Sequence, residues 1–160
     1  MPIVLVRVDD RLIHGQVVMG WVPNLQAREV VVVSEAAAAD ETQKALMQMA
    51  MPEGVQLRVL GVAEAVRQLR EPEEARRILV LVPSPQEALK LLEGGLDFTR
   101  LNVGGLHYTA GRVQLGKAIF LNPQDQEALR ELARRGVVLE GRALPGDAPI
   151  DIQVLLGAAP

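Results

Sequence analysis

The chain alternates short apolar runs with helical stretches, and this rhythm restricts its fold more than any other feature. Ile3 to Val8, Val30 to Val33, Val55 to Leu60 and Ile78 to Val82 are mostly apolar and rich in valine, isoleucine and leucine. Nearly continuous apolar character, without polar alternation, is expected of parallel strands covered on both faces. Arg100 to Val103, Ala118 to Leu121 and Val137 to Leu139 are weaker strand candidates.

Helical patterns fill the intervals. Val62, Ala65, Val66 and Leu69 follow the i, i+3, i+4, i+7 spacing of one buried face. Ser84-Pro85-Gln86-Glu87 reads as a capping box with proline at the first helical position, and Gly94 as its stop. Asn122-Pro123 opens a helix that carries Glu131 and Arg135 at i, i+4 and stops at Gly136. Another is expected from about Ala38 to Met51, with Leu46, Met49 and Ala50 turned inward. The implied fold is α/β: one doubly wound, mainly parallel sheet with helices on both faces. At 160 residues the chain is long enough for about one domain, 1–160, with a tail expected from about residue 153.

Composition narrows the chemistry. Cysteine is absent, so disulfides, thiolate metal sites and cysteine nucleophiles are excluded. Four aromatic residues and a net charge of -3 disfavour both base-stacking and broadly basic nucleic-acid surfaces. No segment approaches the ~18 unbroken apolar residues of a membrane span. Met1 to Leu5 lacks a basic leader and soon reaches Arg7, Asp9 and Asp10, unlike a signal peptide. The expected location is the cytoplasm, with any association with the inner membrane made through protein partners. Only two histidines are available for imidazole chemistry, His14 and His107.

In a doubly wound sheet, ligands bind outside the carboxyl ends of the strands. The loops there include Asp9 to Gln16 after the first strand, Ser34-Glu35 after the second, Pro83-Ser84 after the fourth and Asn102 to Gly111 after the fifth. Both histidines fall in this set. From Asp9 to His14, six residues hold two carboxylates, a guanidinium and an imidazole, just before a helix suggested by Val17, Val18 and Trp21. A helix start offers unpaired N–H groups to an anion, Arg11 adds a phosphate-matched fork, and Gly15 permits close backbone approach. His14 is thereby a candidate phosphoryl acceptor, with Asp9 and Asp10 orienting Arg11 or capping the helix. The plain alternative is that His14 is a loop hydrogen-bonding residue and Asp9-Asp10 a turn.

Other motifs carry less. Gly111 to Lys117 matches the start of a P-loop, but Ala118 replaces the magnesium-binding hydroxyl and a strand follows where a helix is needed. No dinucleotide fingerprint is present, and His14 and His107 with the aspartates lack metal-ligand spacing, so neither a metal nor a cofactor is expected. His107 either lines the pocket or anchors a glycine-rich loop. Trp21 reads as helix packing.

The run Val6-Arg7-Val8-Asp9-Asp10-Arg11-Leu12-Ile13-His14-Gly15-Gln16-Val17 resembles the IIB subunits of the mannose/fructose/sorbose class of the bacterial phosphoenolpyruvate:sugar phosphotransferase system. Leu101-Asn102-Val103-Gly104-Gly105-Leu106-His107-Tyr108 and Trp21 extend the likeness, and the strand-helix pattern is similar from about Pro2 to Ile152. The resemblance implies a carrier that takes a phosphoryl group from a phosphohistidine on a IIA partner. It implies delivery to a sugar entering through membrane subunits IIC and IID. His14 aligns with the phosphorylated histidine, Arg11 with the arginine three residues earlier, and Asp9 and Asp10 with the acidic pair. The resemblance also implies phosphorylation at Nδ1; the residues themselves leave the nitrogen open. Two other readings stay open: a regulatory or phosphate-sensing module of the same fold, and a hydrolase or nucleotide binder using His107. A homo-oligomer is compatible with the leucine- and valine-rich composition.

Overall fold

In the computed structural model, which describes residues 3–70, 76–106, 113–116 and 119–158, the apolar runs form the centre of one sheet. Its strands are β1 (Ile3–Val8), β2 (Glu29–Val33), β3 (Gln56–Leu60), β4 (Ile78–Val82), β5 (Arg100–Val103), β8 (Val138–Gly141) and β9 (Ile150–Asp151), in the order β3-β2-β4-β1-β5-β8-β9. All neighbours pair in parallel except β9, which lies antiparallel on β8. A separate antiparallel ribbon joins β6 (Val113–Gly116) to β7 (Ile119–Leu121). The sheet is thus mixed but mainly parallel, as the continuous apolar runs require.

Both faces of the sheet are covered, and the strand residues divide between them by parity. Val30, Val32, Leu79 and Leu81 pack with Val17, Trp21, Val22 and Met47 on one side. Val31, Val33, Val80 and Val82 pack on the other, with Val66, Leu91, Leu129 and Leu132. The first face is covered by a π-helical turn, Val17–Trp21, running directly into α1 (Val22–Leu25), followed by α2 (Glu35–Ala38) and α3 (Glu41–Ala50). The second is covered by α4 (Val62–Leu69), α5 (Pro85–Glu93), α6 (Pro123–Arg134) and α7 (Ile152–Ala158). Alternate residues of a strand point to opposite faces, so a strand between two helical layers must be apolar throughout.

Local chemistry moves several boundaries. The helix expected from about Ala38 to Met51 is α3 with a later start: Ala38 ends the short α2 that Ser34 caps, and the Asp40 carboxylate accepts from the Gln43 N–H at 3.0 Å to start α3. That start sets the phase of α3: Met47 faces inward, whereas Leu46 and Met49 are 61% and 82% exposed. The inward placement of Leu46, Met49 and Ala50 is therefore corrected. Ser84 does stand at the cap of α5, but its hydroxyl donates to the Glu87 carboxylate rather than accepting from the helix backbone. A reciprocal capping box forms instead at α6, between Asn122 and Asp125. The expected tail from about residue 153 is largely helical. Ile152 and Leu156, spaced i, i+4, are buried in the core, and this anchors α7. Within the P-loop-like segment, Gly111, Arg112, Lys117 and Ala118 lie outside the described residues; Val113–Gly116 and Ile119–Leu121 are strands.

Candidate functional site

The chain leaves β1 toward β2 on one side of the sheet and leaves β5 toward β8 on the other. The crevice between the carboxyl ends of β1 and β5 is therefore a topological switch point, where such sheets bind ligands. Backbone bonds hold the two exits together: Gly104 N–H donates to Val8 O at 2.8 Å, and Asp10 N–H to Gly105 O at 2.7 Å.

Beyond β1 the backbone turns sharply. Leu12 N–H donates to Asp9 O at 3.0 Å, and Asp9 Oδ1 accepts from the Arg11 N–H at 3.1 Å. Leu12 has a φ of 58°, in the left-handed region that a non-glycine residue enters at a cost of about 1–3 kcal/mol. Its side chain is buried in the core under α1, and this burial offsets the strain. The turn delivers His14 to the crevice, and His14 O then accepts from Val18 N–H at 3.0 Å as helix begins.

Asp9 is the centre of the site. It is fully buried, with Oδ2 2.9 Å from His14 Nε2 and 3.3 Å from Arg7 Nη2. Burial pushes its carboxyl group up, but the His14 hydrogen bond, the imidazole charge and Arg7 together hold it below the usual carboxylate range. An ionised Asp9 can only accept, so His14 presents Nε2–H to it. In the neutral ring this leaves the lone pair on Nδ1. His14 has a side-chain exposure of 13%, enough to be reached from the sheet edge.

Arg7, inside β1, is also fully buried. Nη1 donates to Asn102 Oδ1 and, at 2.7 Å, to Arg142 O. Nη2 donates to Ala143 O at 3.0 Å as well as to Asp9. The Trp21 ring lies 4.6 Å below the guanidinium carbon, and Trp21 Nε1–H donates to the same Ala143 O at 2.9 Å. Burial lowers the Arg7 pKa more than Asp9 raises it. Gly104 is required here, since a Cβ at that position would stand 2.0 Å from Arg7 Nη2.

The remaining candidates are placed less centrally. Arg11 is exposed and its Nη2 donates to Gln16 Oε1 at 3.1 Å. Asp9 therefore orients the Arg11 backbone, and Gln16 its guanidinium. Asp10 is joined to β5 through its backbone at the mouth of the crevice. Gly15 is exposed, and a Cβ there would meet open space. His107 lies outside the described residues. Among the described residues, no cluster of histidine and carboxylate groups has the arrangement of a metal site.

The loop reading does not single out Arg7, Asn102 or Gly104 and takes Trp21 as packing, although all four stand within the resemblance. The available signal was Arg7 itself: a guanidinium inside an otherwise apolar, doubly covered strand must have buried partners. Spacing could not name them, because Asn102 and Arg142 lie 95 and 135 residues away.

Comparison with known proteins assigns the family. A family model described as the PTS system sorbose subfamily IIB component matches residues 3–160. The mannose-specific EIIAB component of Escherichia coli is 36% identical over 157 residues, 98% of this chain; the chain spans about half, 49%, of that relative's length. The sorbose-specific EIIB component of Lacticaseibacillus casei is 35% identical over 153 residues, covering 95% of this chain and 93% of the relative. The crystal structure of the IIBSor domain of the sorbose permease from Klebsiella pneumoniae superposes with a TM-score of 0.93 and 32% identity, over 100% of this chain and 99% of that one. The chain belongs to the sorbose subfamily of phosphotransferase-system IIB components.

Proposed function

We propose that this chain is a phosphoryl carrier whose acceptor atom is His14 Nδ1, loaded by a phosphohistidine IIA partner and discharged to a sugar handled by membrane subunits IIC and IID. The observation that carries this reading is the 2.9 Å contact between His14 Nε2 and buried Asp9 at the sheet's switch point. An Nε2–H donated to the carboxylate leaves Nδ1 for chemistry, which supports the reading.

In the first step the Nδ1 lone pair attacks the phosphorus, an N–P bond forms, and the bond to the donor imidazole breaks. The His14 ring gains positive character as it does so, and Asp9, 2.9 Å from Nε2, stabilises that charge. Arg11, exposed beside His14 in sequence, stabilises the phosphoryl oxygens, with Asp10 and Gly15 shaping the approach. In the second step a sugar hydroxyl attacks phosphorus, Nδ1 departs with its electron pair, and the hydroxyl proton is released. Phosphoryl transfer of this kind depends on positioning and electrostatics more than on covalent help from the protein. An edge site of modest size suits successive protein partners, which need interfaces of only about 1,200 Å² or less for a transient encounter. Residues 1–160 act as one IIB unit. Contact with the membrane is made through IIC and IID; no helix among the described residues is long and apolar enough to cross it.

The test is incubation with the phosphorylated IIA of the same system, followed by reconstitution with IIC and IID. The reading predicts an acid-labile, base-stable label that disappears in His14→Ala, and sugar phosphorylation that depends on the label. A label that survives His14→Ala overturns the acceptor. A label on His14 that is never passed to sugar favours a phosphate-sensing module instead.

A further inference from the structure

We infer that Arg7 is a positioning residue of the transfer reaction, acting through Asp9 to hold the His14 ring with Nε2–H inward and Nδ1 outward. This rests on the reading of His14 as the phosphoryl acceptor.

The geometry is directional. Asp9 Oδ2 receives Arg7 Nη2 at 3.3 Å from inside the sheet and His14 Nε2 at 2.9 Å from the edge, so one oxygen is held between two donors. Its other oxygen is taken by the Arg11 N–H at 3.1 Å. The carboxylate therefore cannot swing without breaking contacts on three sides. Arg7 is held in turn by Asn102 of β5, by the carbonyls of Arg142 and Ala143 beyond β8, and by the Trp21 ring. Every strand end bordering the crevice thus converges on one guanidinium.

A purely architectural role explains this poorly. Burying a guanidinium-carboxylate pair is rarely more stable than filling the same space with apolar side chains. Arg7 Nε is, moreover, buried without a hydrogen-bond partner, an additional cost. What an apolar residue could not do is keep Asp9 ionised and aimed. Without the Arg7 charge, one cause that holds the Asp9 carboxyl group down is lost, and a protonated Asp9 no longer fixes Nε2–H inward. The other charged groups around the pair are Arg11 and Asp10 on the turn, Glu140 behind Asn102 (3.2 Å from its Nδ2) and Arg142, 3.8 Å from Glu140. Glu140 and Arg142 offset one another, which leaves Arg7 as the buried cation in direct contact with Asp9.

The test compares wild type, Arg7→Met and Arg7→Lys by phosphoryl uptake from IIA across pH and by ¹⁵N NMR of the His14 ring. Arg7→Met is expected to slow uptake at pH 7 by about 10- to 100-fold, the range for loss of a group that orients a reacting ligand. The acid limb of its pH–rate profile, where Asp9 takes up a proton, should move up. The His14 ring should lose its fixed Nε2–H tautomer, and Arg7→Lys should recover most of both. A rate lowered equally at all pH values, with the tautomer unchanged, overturns the proposal. If Arg7→Met does not fold, Asn102→Ala keeps the charge but frees Nη1; a smaller loss of uptake with a less fixed His14 tautomer is expected, and an unchanged rate and tautomer overturn the proposal. The NMR readout needs no phosphoryl donor, so failure of His14 as acceptor and failure of Arg7 as its positioner are distinguishable.

Discussion

His14 Nε2 lies 2.9 Å from Asp9 Oδ2, and this contact determines which nitrogen of the imidazole is turned away from the carboxylate. Asp9 is fully buried and ionised by its neighbours, so the contact is a charge-assisted hydrogen bond in a low-dielectric setting, where it is strongest. The site is built on strand ends that other strands hold in register, which fixes the Asp9–His14 pair.

Asp9 also couples stability to pH. Its carboxyl group titrates lower in the folded protein than in the unfolded chain, so its contribution is complete above about pH 4 and is lost as pH falls through the folded value. Asp9→Asn should destabilise by about 3 kcal/mol at pH 7, because Arg7 is left buried without its counter-charge. The difference from wild type should shrink as pH drops below 4. Urea denaturation at several pH values measures it. Glu64, lowered to about 2 by its hydrogen bonds from Arg67 and Gln68, is half-exposed, remote from the substitution, and changes both proteins alike. A difference that stays constant down to pH 2 contradicts the account.

Gly104→Ala should be costly although the change is one methyl group. Its Cβ would meet the guanidinium of Arg7 at 2.0 Å, forcing either β1 and β5 apart or Arg7 off Asp9. Overpacking and a weakened buried pair together predict a loss of about 3 kcal/mol. Gly15→Ala, which meets open space, should stay within about 0.5 kcal/mol of wild type. Equal stabilities of the two variants in urea would show that Arg7 is not fixed as described.

Arg11→Ala separates chemistry from folding. Its side chain is exposed and its guanidinium donates to Gln16, so stability should change by less than about 1 kcal/mol. Loss of its charge beside the phosphoryl oxygens should slow uptake from IIA by at least ~10-fold. Unchanged single-turnover kinetics would remove Arg11 from the mechanism.

Much of this architecture is legible in sequence because its cause is local. Ile3–Val8 and Ile78–Val82 run as strands over the expected residues, since strands covered on both faces must be apolar throughout, and the less apolar Arg100–Val103 does so as well. The phase of α3 is not legible from apolar spacing, because the Asp40 cap chooses where the helix starts and leaves Leu46 and Met49 outside. The final helix is hidden for a related reason: Ile152 and Leu156 are only two anchors, and what they pack on is remote in sequence. At the site, the motif from Asp9 to His14 is readable because a single turn brings its residues together. Its support is not, because Asn102, Arg142 and Ala143 reach Arg7 only once the strands β1, β5 and β8 are side by side.

The central claim is that Asp9 holds Nε2 and leaves Nδ1 to carry the phosphoryl group. It is tested most directly by ¹⁵N-³¹P coupling in ¹⁵N-histidine-labelled protein charged by phosphorylated IIA. With only two histidines the signals assign readily, and His14→Gln removes one of them. The account predicts phosphorus coupled to Nδ1 of His14, with Nε2 still protonated against Asp9. Phosphorus bonded to Nε2 of His14, or to His107, would contradict it.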